Sequence, residues 1–353
     1  MAPPDVWTNP LQALALITEN PARLSEELSS ALSDPNEFET ARQRAKTLVE
    51  DYQRVSPSDD TAPVLRLFLE KLPKQGQTAL ISDIITSENL RTLRDHLVDA
   101  ILKPMKLSGG KQPVTAPSNP LQLEQIDLAM TEIEPSVRNQ TRLKRDCLKR
   151  DGFRCSISGY HDRSSVRNGS VILPAGKRAT VTQCAHILPF ALSDFDERSV
   201  AEARNKAIVW TALHRYFPAL RGKINTNSVN QYGNVMIMDN SIHAAFGEYS
   251  IGLWPMDEDN TYHIRSLDGL GLPAGIPTDR EYVQFISHDH QLPLPDKDFL
   301  KTHYRIGEIL QVSGIGRQIE DELDNSSDDP LNLRPDGSTD LWSILERKML
   351  MNV

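Results

Sequence analysis

Asn234-Val-Met-Ile-Met-Asp-Asn-Ser-Ile-His-Ala-Ala-Phe-Gly247 holds three successive structural instructions. Asn234 to Met238 is an apolar run of strand length. Asp239, Asn240 and Ser241 are consecutive residue types whose side-chain oxygens cap helix N-termini. Ile242 to Phe246 then reads as a helix that stops at Gly247. Upstream, Cys184-Ala-His-Ile-Leu-Pro189 is a second strand-like run carrying one imidazole, His186. The sequence therefore sets a His on one strand and an Asn at the mouth of the next. A second His, His243, falls in the first turn of the following helix.

This order resembles the ββα-metal (HNH) endonuclease motif, and within it the fungal branch. There the pattern is Ala-His-Ile with a nearby Pro, then Trp-x-x-Leu, then Asn-x8-His-x-x-Phe. Here the matching residues are Ala185, His186, Ile187 and Pro189, then Trp210 and Leu213, then Asn234, His243 and Phe246. The resemblance covers about 138–255. It implies phosphodiester hydrolysis, which needs an activated water and neutralisation of charge building on the phosphoryl group. By match, His186 is the general base, its ordinary pKa near ~6.5 leaving a neutral imidazole at working pH. Asn234 would fix the His-bearing strand, and His243 would bind one divalent cation, Mg2+, Mn2+ or Zn2+.

Two departures bear on that metal. Ala185 stands where colicin-type relatives have a His or Asp ligand, although the fungal branch shares this Ala. Gly247 stands four residues after His243, where the family usually has Asp or His on the same helix face. Asp239, one turn earlier on the same face, or Glu248 could replace it, and the other reading of Asp239 is simply the helix N-cap. Two readings follow: a metal-dependent endonuclease, on DNA before RNA, or a catalytically degenerate HNH-fold binding or scaffold module.

The stretch leading in is basic. Residues 138–178 contain eleven Lys and Arg against Asp146, Asp151 and Asp162. A helix over 138–150 sets Arg138, Arg142, Arg145 and Lys149 on one face, with Leu143 and Cys147 on another. With Arg150 and Arg154 these are the candidate phosphate contacts. Phe153 to Ile157 reads as a strand closed by a turn at Ser158-Gly159. Relatives often brace this region with a zinc knuckle. Its positions here are Cys155-x-x-Ser158 and Asp239-x-x-Ile242, which retain one thiolate of four, so no structural zinc is expected.

Farther out, Asp194 to Phe217 reads as a helical insert with Trp210 as a packing anchor. Tyr249 to Trp254, Tyr262 to Arg265 and Arg280 to Ile286 read as strands. Phe299 to Leu323 holds a helix broken near Gly314, and Leu341 to Met351 forms a short tail helix after the disorder-prone Asn325–Pro330. Residues 9–106 read as helices, and Leu107–Pro120 has linker composition.

The fold class expected is therefore α+β: a helical domain 1–106, linker 107–120, an HNH-like ββα-metal domain 121–290 with a helical insert and extra strands, and a helical acidic extension 291–353. The formal net charge of -9 comes from the two ends, since 107–278 carries 17 acids against 19 bases. A nucleic-acid partner is thus compatible with the acidic whole, and the helical domain is a candidate docking module for a protein partner. Three cysteines, Cys147, Cys155 and Cys184, without a Cys-x-x-Cys, exclude a disulfide scaffold. No apolar run is long enough for a membrane span. An intracellular protein is expected, with nucleus or cytoplasm left open.

Overall fold

The computed structural model describes residues 35–106, 114–117, 120–136 and 140–326. Arg138, the helices expected before residue 35 and the tail helix at Leu341–Met351 lie outside the described residues. Helix α1 spans Pro35–Glu50, α2 Thr61–Lys71, α3 Lys74–Thr86 and α4 Leu90–Leu97. α4 continues through a π-helical turn, Val98–Leu102, into Lys103–Lys106. Then come α5 (Pro120–Met130), α6 (Gln140–Arg150), α7 (Arg163–Arg167) and α8 (Val200–Tyr216). The last helices are α9 (Asn240–Gly247), α10 (Lys297–Ser313) and α11 (Ile315–Ser326).

The strands form three small sheets. β1 (His161–Asp162) pairs in parallel with β2 (Ala179–Thr180). β3 (Thr182–His186) and β4 (Val235–Asp239) form an antiparallel ladder, with His186 opposite Val235 and Thr182 opposite Asp239. β5 (Ile251–Pro255), β6 (Thr261–Ser266) and β7 (Tyr282–Gln284) form an antiparallel meander. The fold thus mixes helix and strand, and no helix among the described residues is long and apolar enough to cross a membrane.

Contacts divide the chain into two compact units, Met1–Gly316 and Arg317–Val353. In the first, the amphipathic helices bury their apolar stripes, such as Val64, Leu65, Phe68 and Leu69 on α2. Polar ties span long stretches of sequence. Asp83 on α3 pairs with Arg215 of α8 at 2.6 Å and accepts from the Tyr216 hydroxyl at 2.8 Å and the Gln122 amide of α5 at 3.0 Å. Lys71 on α2 reaches Glu308 on α10 at 3.2 Å, and the Tyr249 hydroxyl donates to the Met105 carbonyl at 3.1 Å. Inside the linker-like stretch, the Thr115 carbonyl meets His96 Nδ1 at 2.7 Å.

Three elements depart from expectation. Phe153–Ile157 forms turns, with one isolated bridge from Arg154 to His161, in place of a strand. The cause is local: Gly152 and Phe153 both adopt positive φ, +66° and +56°, which a strand does not tolerate. The helical insert starts at Val200, because Ser199 accepts from Glu202 N as its N-cap. Asn325 and Ser326 end α11 as helix; the rest of that disorder-prone stretch lies outside the described residues. Gly314, left-handed at φ +72°, ends α10 where the break was expected.

Candidate functional site

The β3–β4 hairpin is gripped on one face by α6. Leu143 and Cys147 pack against Val235 and Ile237 of β4, with Cys184 of β3 beside them. α9 leaves β4 without a linker, because Asp239 closes the strand and caps the helix. One carboxylate oxygen accepts from Ser241 N at 2.9 Å and Ser241 Oγ at 2.6 Å, and the other accepts from Thr180 Oγ1. Asp239 is buried with both oxygens engaged, so the structure shows the capping role.

Asn234 is 0 % exposed and makes three side-chain hydrogen bonds. Its Nδ2 donates to the carbonyls of Leu188 and Val229 at 2.9 and 3.0 Å, and its Oδ1 accepts from Leu188 N at 2.9 Å. Ile187 N donates to the Asn234 carbonyl at 2.8 Å. Both ends of the short run after His186 are thereby stapled to the mouth of β4. Asn234 touches backbone only, which makes it a positioning residue.

The two histidines stand on different partners. His186, half-buried at the end of β3, meets Asn230 Oδ1 through Nε2 at 2.9 Å and lies against the Phe190 ring at 5.9 Å. An amide oxygen only accepts, so Nε2 donates, and a neutral ring keeps its basic lone pair on Nδ1. His243, half-buried on α9, meets Gln183 Oε1 of β3 through Nδ1 at 2.7 Å. There Nδ1 donates, and a neutral ring keeps its lone pair on Nε2, the tautomer of a metal-ligating imidazole whose other nitrogen is oriented by a carbonyl. Gln183 and Asn230 were not singled out in the sequence, because only the strand register and the 225–234 turn bring them to the imidazoles.

One imidazole in the ligating tautomer is not a metal site. No three His, Cys, Asp or Glu side chains among the described residues are grouped to hold an ion, and Gly247 offers no donor. His243 is the motif's nitrogen donor for a cation, whose remaining ligands would be solvent and phosphate oxygens, and no step is assigned to one. At the knuckle positions, Cys155 Sγ accepts from Ser158 N at 3.2 Å and Ser156 N donates to the Ile237 carbonyl at 2.7 Å. Hydrogen bonds therefore anchor that turn to β4.

The basic residues separate into distinct environments. Arg142 and Arg145 are exposed on α6 and flank Asp146 at 3.6 and 3.2 Å. Lys149 is exposed, and Arg154 Nη2 donates to His288 Nε2 at 3.1 Å. Arg150 corrects the expected phosphate-contact set, because it is 0 % exposed. It pairs with Asp151 at 2.6 and 3.1 Å and donates to the carbonyls of Tyr232, Pro293 and Val235 at 2.7, 3.0 and 2.8 Å. Burial opposes its charge, yet the Asp151 carboxylate outweighs burial and holds the guanidinium above its ordinary pKa. All five N–H donors are used, leaving none for a phosphate. The spacing 143, 147, 150 already put Arg150 on the apolar face of α6.

Among the comparisons with known proteins, no curated protein and no solved structure matches the chain. Residues 155–253 match the family model HNH_2, described as HNH endonuclease, which supports an HNH-family protein with a nuclease-like domain.

Proposed function

We propose that this chain is an endonuclease of the fungal HNH pattern that hydrolyses phosphodiester bonds, DNA before RNA, in a divalent-metal-dependent reaction. The observation that carries the reading is the hairpin's arrangement: His186 precedes a run stapled by buried Asn234, and His243 on α9 is oriented through Nδ1 by Gln183 of β3. HNH endonucleases generally use a divalent metal ion. In this reading His186 takes the proton of the water whose oxygen attacks phosphorus, while one P–O ester bond breaks and the leaving oxygen takes a proton from solvent. Arg142, Arg145, Lys149 and Arg154 would hold the backbone; the helices of 35–106 would select the target or a protein partner.

The test is supercoiled plasmid with the full chain and Mg2+, Mn2+ or Zn2+. Nicked or linear product is expected, and none in chelator. His186→Ala should cut cleavage at least about 100-fold with the melting temperature unchanged. A specific observation favours a second reading, a degenerate binding module: Gly247 and the missing donor trio. Wild-type protein that cuts with none of these ions, and binds none of them at His243, establishes that reading.

A further inference from the structure

At the C-terminal end of α6 lies a cleft of about 760 Å³ lined by Lys149, Arg154, His161, His288 and His290, with Asp289 and the Phe153 ring. A second cavity of about 330 Å³ shares Arg154 and His161 and adds Lys177 and Arg280. The two hollows therefore meet at one Arg–His pair, built from segments far apart in sequence. We propose that this joined cleft is a phosphodiester-binding groove that grips the backbone of the nucleic-acid strand.

Four observations support it. First, Lys149, Arg154 and Lys177 have no carboxylate within ion-pair distance among the described residues, unlike Arg142 and Arg145. Second, the carboxylates nearby are engaged: Asp151 by Arg150, Ser156 Oγ at 3.0 Å and Ile237 N at 3.0 Å, and Asp289 by Gln291 N at 3.2 Å. Third, the cations are not spent on the helix end. The carbonyls of Cys147, Leu148, Lys149 and Arg150 accept from the backbone N–H groups of Asp151, Phe153, Gly152 and His288. Fourth, His161 Nδ1 is buried without a hydrogen-bond partner at the meeting point of the two hollows. Burial, with the positive field of Arg154 and Lys177, holds that imidazole below its usual pKa, so an entering anion would relieve the field. The cations Lys149, Arg154, Lys177 and Arg280 around the two hollows make an oxyanion the chemistry that fits.

The groove is a binding site, not a pocket for the reacting phosphate, and the inference rests on the nuclease-like reading for its choice of a nucleic-acid phosphate. Its geometry is held by the left-handed turn at Gly152, where a Cβ would stand 2.7 Å from the His288 ring.

The experiment is fluorescence anisotropy of a labelled 20-base-pair DNA duplex and, in a parallel arm, a 20-nucleotide RNA. Full-length wild type is compared with Lys149→Gln/Arg154→Gln and with the charge-matched Arg198→Gln/Lys297→Gln, exposed positions before α8 and at the start of α10. The cleft variant should raise Kd at least about 10-fold on one of the two probes and flatten log K against log salt by about 2, as for two lost phosphate contacts at ~0.9 each. The arm that responds identifies DNA or RNA as the strand held. His290→Glu, at an exposed position, should weaken binding likewise and serves if the double variant melts early. Affinities no lower than the charge-matched control on both probes, or no wild-type binding to either, overturn the groove. A wild type that binds through the cleft but cuts no plasmid keeps the groove and sinks the catalytic reading. A wild type that cuts, with cleft variants binding normally, does the reverse.

Discussion

Lys149 and Arg150 are adjacent in the chain and opposite in environment. Arg150 is sealed under the hairpin with every donor engaged, while Lys149 points into an open cleft with no carboxylate partner among the described residues. Charge pairing separates the two regions: under the hairpin the Arg150 guanidinium is matched by the Asp151 carboxylate, and in the cleft Lys149, Arg154 and Lys177 have no carboxylate partner among the described residues. Function in such a chain is carried by the groups the fold does not consume. The hairpin should therefore answer substitution with lost stability, and the cleft with lost binding.

The largest expected effect is at Arg150. Arg150→Met leaves Asp151 as a buried charge and strips donors from three carbonyls, so unfolding free energy should fall by about 3–5 kcal/mol in a urea titration. Lys149→Gln should stay within about 0.5 kcal/mol, as at an ordinary surface position. Equal effects at the two neighbours would erase the contrast.

Asn234→Ala comes next. It removes three buried hydrogen bonds and orphans Leu188 N with two carbonyls, so a loss of about 3 kcal/mol is expected at roughly 1 kcal/mol per bond. Hydrogen exchange at Ile187 and Leu188 should quicken more than at Leu253 in β5. Exchange that quickens uniformly would make Asn234 a general core residue instead of a local staple.

The hairpin and its helix were legible because strand length, an N-cap residue and a stop glycine follow each other in one run from Asn234 to Gly247. The burial of Arg150 was legible too, since 143, 147 and 150 share a helix face, but a count of charges along 138–154 passes over it. Phe153–Ile157 reads as a strand because its residue types suit one, while the two positive φ angles leave no mark beyond Gly152. Gln183 and Asn230 could not be found, because their roles come from register and loop closure. The cleft was out of reach for the same reason: His288 meets Arg154 only through the long return of the chain.

The smallest of the three stability effects tests a buried polar group that falls between the two regions. His303 on α10 lies 3.7 Å from the Phe246 ring and 4.4 Å from the Tyr249 ring, stacked on both, so it clamps the motif's Phe on α9. Its Nε2 donates to the Phe246 carbonyl at 3.2 Å, while Nδ1 is buried without a partner. Burial, only partly offset by that hydrogen bond, drives its pKa from 6.5 down to about 3. The sign follows from linkage. The unfolded chain takes up a proton near pH 6.5 and the folded one only near 3, so the neutral ring's contribution is complete above 6.5 and lost as pH falls through that window. At pH 5 the loss is about 2 kcal/mol relative to pH 8. His303→Phe keeps an aromatic ring in the stack, and the Phe246 carbonyl still accepts from Tyr249 N at 3.1 Å. The stability difference between wild type and variant should therefore shift in the variant's favour by about that amount between pH 8 and pH 5. His96, His161 and His214, also depressed by burial, cancel in this difference. A difference constant across that range would mean that His303 is protonated in the folded chain, and that the clamp on α9 is a hydrated, ligand-accessible site like the cleft.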